Sequence, residues 1–124
     1  MSDEQTLLKE RLETVLEALE RIPRRFSSVS KPADFIKSET GKDTMDAICM
    51  VLIAAGEEFK QIDRQTKGDL FSQYPQIPWR KAIGLRDVLA HGYFQADPVQ
   101  LYSICKENIP SVIETLQKII KDLS

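Results

Sequence analysis

Apolar residues return every three or four positions in several separate segments of this chain, and nowhere do they alternate as a strand requires. Leu8, Leu12, Val15, Leu16, Leu19 and Ile22 form the first such stripe, behind a Ser2-Asp3-Glu4-Gln5 start with capping-box spacing. Pro23 is expected to end that helix. The link from Arg24 to Gly41 holds Ser27, Ser28, Ser30 and Pro32 and reads as mostly loop, with Phe35 and Ile36 anchoring a short turn. A second helix is expected from about Asp43 to Arg64, carrying Met45, Ile48, Leu52, Ala55, Phe59 and Ile62. Cys49 and Ile53 give it a second apolar side, which marks a central helix or one facing another subunit. Gly56 lowers its helix propensity by about 1 kcal/mol relative to Ala, so close packing is expected there.

The pattern breaks from Gln65 to Ile77, around Gly68 and Pro75. Pro78 suits the first turn of a third helix bearing Trp79, Ile83, Leu85, Val88 and Leu89, with Gly92 as its stop. Asp97-Pro98-Val99-Gln100 starts another helix, and Pro110 is expected to kink or break it before Ile113, Leu116, Ile120 and Leu123 continue the stripe. With 124 residues, the chain is read as one domain spanning 1–124, an all-α up-and-down bundle of four to five helices.

Composition removes several function classes. The formal charge is −2, from 17 Lys+Arg against 19 Asp+Glu, so no global basicity marks a nucleic-acid binder. The longest apolar run, Ala47 to Ala55, is nine residues, against about 20 for a membrane helix. The acidic start lacks a hydrophobic signal core, and a cytoplasmic protein without membrane partners is expected. Cys49 and Cys105 lie far apart, and there is one histidine. That spacing offers no disulfide framework and no usual structural zinc site. No metal and no cofactor are expected.

Reactive groups concentrate in one stretch, Arg86-Asp87-Val88-Leu89-Ala90-His91-Gly92-Tyr93. Five residues of continuous helix turn through about 500°, so Arg86 and His91 would point about 140° apart. They converge only if the helix ends near Ala90, or if a second subunit supplies one of them. A histidine at a helix C-terminus also serves as a dipole-stabilised cap. Arg86 with Asp87 also reads as a structural ion pair, and Tyr93 as a ring packed at a helix end.

The run Tyr74-Pro75-Gln76-Ile77-Pro78-Trp79, continuing through Arg86 to Phe94, resembles the HepT-like proteins of the HEPN superfamily. That family's motif is arginine, four residues, histidine, one residue, tyrosine, and Arg86, His91 and Tyr93 match it; Gly56-Glu57 in the second helix is also typical. One departure is Cys49-Met50, where many members carry an Arg-Asn pair. The resemblance implies an α-helical homodimer whose two motifs face one cleft and which acts as a metal-independent endoribonuclease toxin in a bacterial toxin–antitoxin pair. It further implies a minimal nucleotidyltransferase antitoxin that attaches AMP to Tyr93 and silences the toxin.

The residues suit that chemistry. Histidine titrates near 6.5 unperturbed and exchanges protons at neutrality, which assigns His91 as base or acid. Arginine stays charged and offers phosphate a planar fork, which assigns Arg86 to the phosphate. One histidine cannot be base and acid in one step, whereas a symmetric dimer brings two. Asp87 is a supporting residue that holds the arginine or orients the imidazole. Arg80 and Lys81 are candidate RNA contacts. From Phe71 to Phe94 there are three basic residues and one acid, and from Arg21 to Lys42 six basics against two acids, a locally basic rim on an acidic protein. Trp79 reads either as a stacking platform for a base or as core beside Ile83. The alternative function is a non-catalytic helical module that binds a nucleotidyltransferase or a nucleotide.

Overall fold

The capping box at Ser2 forms as its spacing implies: the Gln5 N–H donates to Ser2 Oγ at 3.1 Å, and the Ser2 N–H donates to Gln5 Oε1 at 3.3 Å. In the computed structural model, which describes residues 2–92 and 96–124, this cap opens α1 (Asp3–Phe26), with Leu8, Leu12, Val15, Leu19 and Ile22 buried. Pro23 does not end the helix. It withholds only its own N–H, while the Ser27 N–H still reaches the Pro23 carbonyl at 3.0 Å. The extra turn carries Phe26, whose ring packs against Tyr102 at 5.1 Å and Phe35 at 6.3 Å.

The link that follows contains a 3-10 turn, Pro32–Phe35, tied by the Asp34 carboxylate, which accepts from the Ser30 N–H at 2.8 Å. Of the two expected anchors, Phe35 is fully buried and Ile36 is exposed, because a tight turn sends neighbouring side chains to opposite sides. The central helix α2 (Glu39–Gln65) begins four residues before Asp43, since Ser38 Oγ caps it by accepting from the Gly41 N–H at 3.0 Å. It packs on α1 along one side and on α4 (Trp79–Gly92) along the other, which explains its two apolar faces.

Between them a one-turn helix, α3 (Asp69–Ser72), brings Leu70 and Phe71 into the core. Phe71 stacks on Trp79 at 3.9 Å, Phe59 meets both rings edge-on, and Trp79 Nε1–H donates to the Tyr74 carbonyl at 2.9 Å. Trp79 is therefore core. Pro78 stands just ahead of α4, its carbonyl accepting from the Ala82 N–H at 3.1 Å.

Of the two outcomes expected at Pro110, a kink or a break, the structure excludes the break. Helix α5 (Pro98–Ser103), capped by Asp97, runs through one π turn (Ile104–Asn108) into α6 (Ile109–Leu123) without a break. The Ile109 N–H reaches back five residues to the Ile104 carbonyl, so a wider turn stands just ahead of Pro110, which has no N–H to donate. α6 returns against α1, where Leu116 and Ile119 are fully buried. The bundle is all-helical, and among the described residues no helix is long and apolar enough to cross a membrane.

One long-range bond secures the chain's end to its middle: Tyr74 O–H donates to Asp122 Oδ2 at 2.7 Å. The hydroxyl holds the Asp122 carboxyl below the usual carboxylate range. A depressed folded value means stability that is present above the unfolded value, near 3.9, and lost as pH falls through the folded one. Tyr74→Phe should therefore lower Tm at neutral pH, with a difference from wild type that shrinks as the solution is acidified below pH 4. Calorimetry across pH checks this; a difference independent of pH would assign the loss to packing.

Candidate active site on the fourth helix

Helical spacing divides α4 into stripes. Arg80, Ile83, Asp87 and His91 follow one another at three or four residues and share one side, whereas Arg86 starts from the side turned to α2. Gly56 sets how near the two helices come. A Cβ added there would lie 2.6 Å from the Arg86 Cβ and 3.3 Å from the Ala82 carbonyl oxygen, so only hydrogen fits. The close packing expected at Gly56 is thus packing against Arg86 itself.

That approach puts the next residue of α2, Glu57, in reach of the guanidinium. Arg86 Nε lies 3.0 Å from Glu57 Oε2, and Arg86 Nη1 donates to Asp87 Oδ1 at 2.6 Å. Gln61 Nε2 donates to Glu57 Oε1 at 3.2 Å and holds the carboxylate from its other side. Glu57 Oε2 is buried and has no aligned hydrogen bond among the described residues, so its contact with Arg86 is one of charge. The hydrogen bond it donates to Asp87, then the charge of Glu57, push the guanidinium further toward the protonated form. Asp87 responds in kind: its bond to Arg86 chiefly holds its carboxyl below the usual range, helped by the charges of Arg86, Lys60 and His91.

Asp87 touches both neighbours, through different atoms. Its carboxylate holds the arginine, while its backbone oxygen lies 2.8 Å from His91 Nδ1. A carbonyl only accepts, so Nδ1 carries the hydrogen, and in the neutral ring Nε2 keeps the lone pair. His91 is exposed. The helix does not end near Ala90 but continues to Gly92, so Arg86 and His91 do not converge by that route. Among the described residues, no hydrogen bond or ion pair joins them directly; Asp87 is the link.

The remaining candidates separate. Arg80 lines an open concavity with Lys60, Ser72 and Ile83, whereas Lys81 lines a different cavity, of about 330 Å³, between α4 and the C-terminal helical run. Tyr93 lies outside the described residues. Cys49 is fully buried, its thiol pushed up to about 11 by burial, so only Met50 of that pair is exposed. Sequence reasoning did not single out Gln61 or Lys60 and knew Glu57 only as part of a family signature. The spacing Gly56-Glu57…Lys60-Gln61, one turn of one helix, was the available signal.

An all-helical bundle that displays an arginine, a carboxylate and a histidine on one exposed helix has the groups of an acid–base site for a phosphate ester. The chain belongs to the ribonuclease HepT-like family, which it matches over residues 15–119. It is 34% identical over 113 residues to the Thermococcus cleftensis protein named "Probable ribonuclease HepT", across 91% of this chain and 96% of that one. It is 33% identical over 94 residues to "Putative RNase MJ0125" of Methanocaldococcus jannaschii, 76% of this chain and 78% of the relative. "Putative RNase MJ1216" of the same organism is 35% identical over 77 residues, covering 62% and 60%. No solved structure gives a significant match.

Proposed function

We propose that the protein is a metal-independent endoribonuclease, the toxin of a toxin–antitoxin pair, and that it works as a homodimer with a composite Arg86/His91 cleft. One observation carries this reading: α4 stays helical past His91, so the single chain offers one imidazole and an arginine linked to it only through Asp87. Cleavage by the RNA's own 2′-hydroxyl calls for a base and an acid in the same step. His91 Nε2 takes the 2′-hydroxyl proton as the oxygen bonds to phosphorus. The bond from phosphorus to the 5′-oxygen breaks, and His91 of the partner subunit, as imidazolium, protonates that oxygen. The products are a 2′,3′-cyclic phosphate and a 5′-hydroxyl.

Arg86 meets the charge that builds on the phosphate oxygens. Among the described residues its contacts are at Nε, an ion pair with Glu57, and at Nη1, a hydrogen bond to Asp87, so Nη2 is the group we assign to the phosphate. With two carboxylates against it, the guanidinium is held in one orientation before RNA arrives, so little rearrangement accompanies the reaction. Tyr93, two residues past His91, is the proposed acceptor of AMP from a nucleotidyltransferase partner. The added anion blocks the phosphate position and repels RNA, by the logic of phosphorylation.

The test is cleavage of end-labelled RNA by purified protein in EDTA, after mass spectrometry has shown Tyr93 unmodified. Wild type should leave cyclic phosphate ends. Arg86→Ala should be slower by about 10²–10³-fold, as for other lost oxyanion donors. Arg86→Lys should not restore the rate, because a point charge cannot hold Glu57, Asp87 and a phosphate together. No cleavage by unmodified wild type would overturn the nuclease reading and favour the non-catalytic binding module.

A further inference from the structure

An open concavity of about 550 Å³ lies between the C-terminal part of α2, α3 and the start of α4. Its size falls within the roughly 300–1,000 Å³ of small-ligand sites. Its lining combines two cations, Lys60 and Arg80, with the apolar surfaces of Pro75, Pro78 and Ile83. Unlike Arg86, neither Lys60 nor Arg80 makes a salt bridge among the described residues. Asp63 is the one acid of the lining. Trp79 reaches the concavity too, but it is 8% exposed and its ring face is covered by Phe71, so it offers no stacking platform.

Two spacings join this concavity to the candidate site. On α4, Arg80 and Ile83 begin the stripe that continues through Asp87 to His91. On α2, Lys60 stands one turn beyond Glu57, and its charge reaches the Asp87 carboxyl. The concavity and the groups that hold Arg86 are thus built on the same two helices, α2 and α4.

Resting on the ribonuclease reading, we infer that this concavity is a subsite for single-stranded RNA. Lys60 and Arg80 hold a backbone phosphate there, and a base lies against Pro75, Pro78 and Ile83. Arg80 and Arg86 are six residues apart, about 9 Å of helix rise and about 120° of turn, so they leave α4 on different sides. The phosphate at Lys60 and Arg80 thus belongs to a nucleotide flanking the scissile one. The strand is single because a base reaches such a recess only when it is out of a duplex stack. Contacts of this kind favour RNA through its backbone and shape, without reading base edges.

The experiment is fluorescence anisotropy of a labelled, 2′-O-methylated single-stranded RNA, which binds without being cut, across a salt series. Each lost phosphate contact flattens the plot of log affinity against log salt by roughly 0.7. The double variant should lower the slope by roughly 0.7, one phosphate contact, and Lys60→Ala and Arg80→Ala each by part of that. Lys60→Arg should keep the wild-type slope. Lys118→Ala, on α6 and paired with Asp122, should also leave it unchanged. In cleavage of ordinary RNA, the double variant should raise KM several-fold with little change in kcat. A double variant with the wild-type slope, in a protein that still cuts RNA, would overturn the subsite and leave the nuclease reading standing. Wild type that neither binds the probe nor cuts RNA would overturn both.

Discussion

His91→Ala is expected to slow RNA cleavage by about 10²–10⁴-fold, the usual contribution of a positioned acid or base. Its Tm should barely move. His91 is exposed, lies in the last turn of α4, and among the described residues makes one hydrogen bond, to the Asp87 backbone oxygen. A rate that falls with the fold intact separates a proton-transfer role from a helix-capping one, which would do the reverse. Circular dichroism melting beside single-turnover cleavage reads both quantities.

The stronger form of the test uses mixed dimers, one protomer wild type and the other His91→Ala. If the two imidazoles act as base and acid in one step, removing either disables the cleft. The mixed dimer should then be nearly as slow as the doubly substituted one, since groups acting as a unit lose function non-additively. If each chain carries its own complete site, half the activity survives. The Nδ1–H bond to Asp87 sharpens this: it fixes the ring so that Nε2 is the nitrogen that exchanges protons in both roles. Retention of half the wild-type rate would overturn the composite cleft.

The helical class, the central place of α2 and the caps at Ser2 and Asp97 were readable because each depends on local spacing. The errors came from prolines. Pro23 and Pro110 are breakers by local rules, yet Pro23 withholds one bond near a helix end, and a π turn accommodates Pro110. Neither outcome is written in the residues beside them; it depends on Phe26 packing against Tyr102 and on Cys105 and Ile109 staying buried. The short α3 escaped notice because four residues show no period, although it supplies the Phe71 ring that covers Trp79. At the site, Arg86, Asp87 and His91 stood out as the chain's one concentration of reactive groups. Glu57, Gln61 and Lys60 did not, since they come from another helix and acquire meaning only where α2 meets α4.

Gly56→Ala should separate site geometry from stability more sharply than any charge removal. The new methyl would sit 2.6 Å from the Arg86 Cβ, an atom fixed to the α4 backbone, so the helix itself must move. Overpacking of this kind costs about 1–3 kcal/mol, while alanine regains about 1 kcal/mol of helix propensity. The net loss of stability is therefore about 0–2 kcal/mol, and the protein stays folded. Catalysis should suffer far more, because a displacement near 1 Å in a reacting group lowers rate by about 10²-fold. The displacement falls on Arg86, whose Glu57 contact depends on the same close approach. Gly84→Ala is the control within α4 itself: its added methyl meets nothing within 4 Å. That variant should gain about 1 kcal/mol from propensity alone and cleave like wild type. If Gly56→Ala instead rises in Tm alongside Gly84→Ala and keeps the wild-type rate, the α2–α4 approach does not set the position of Arg86.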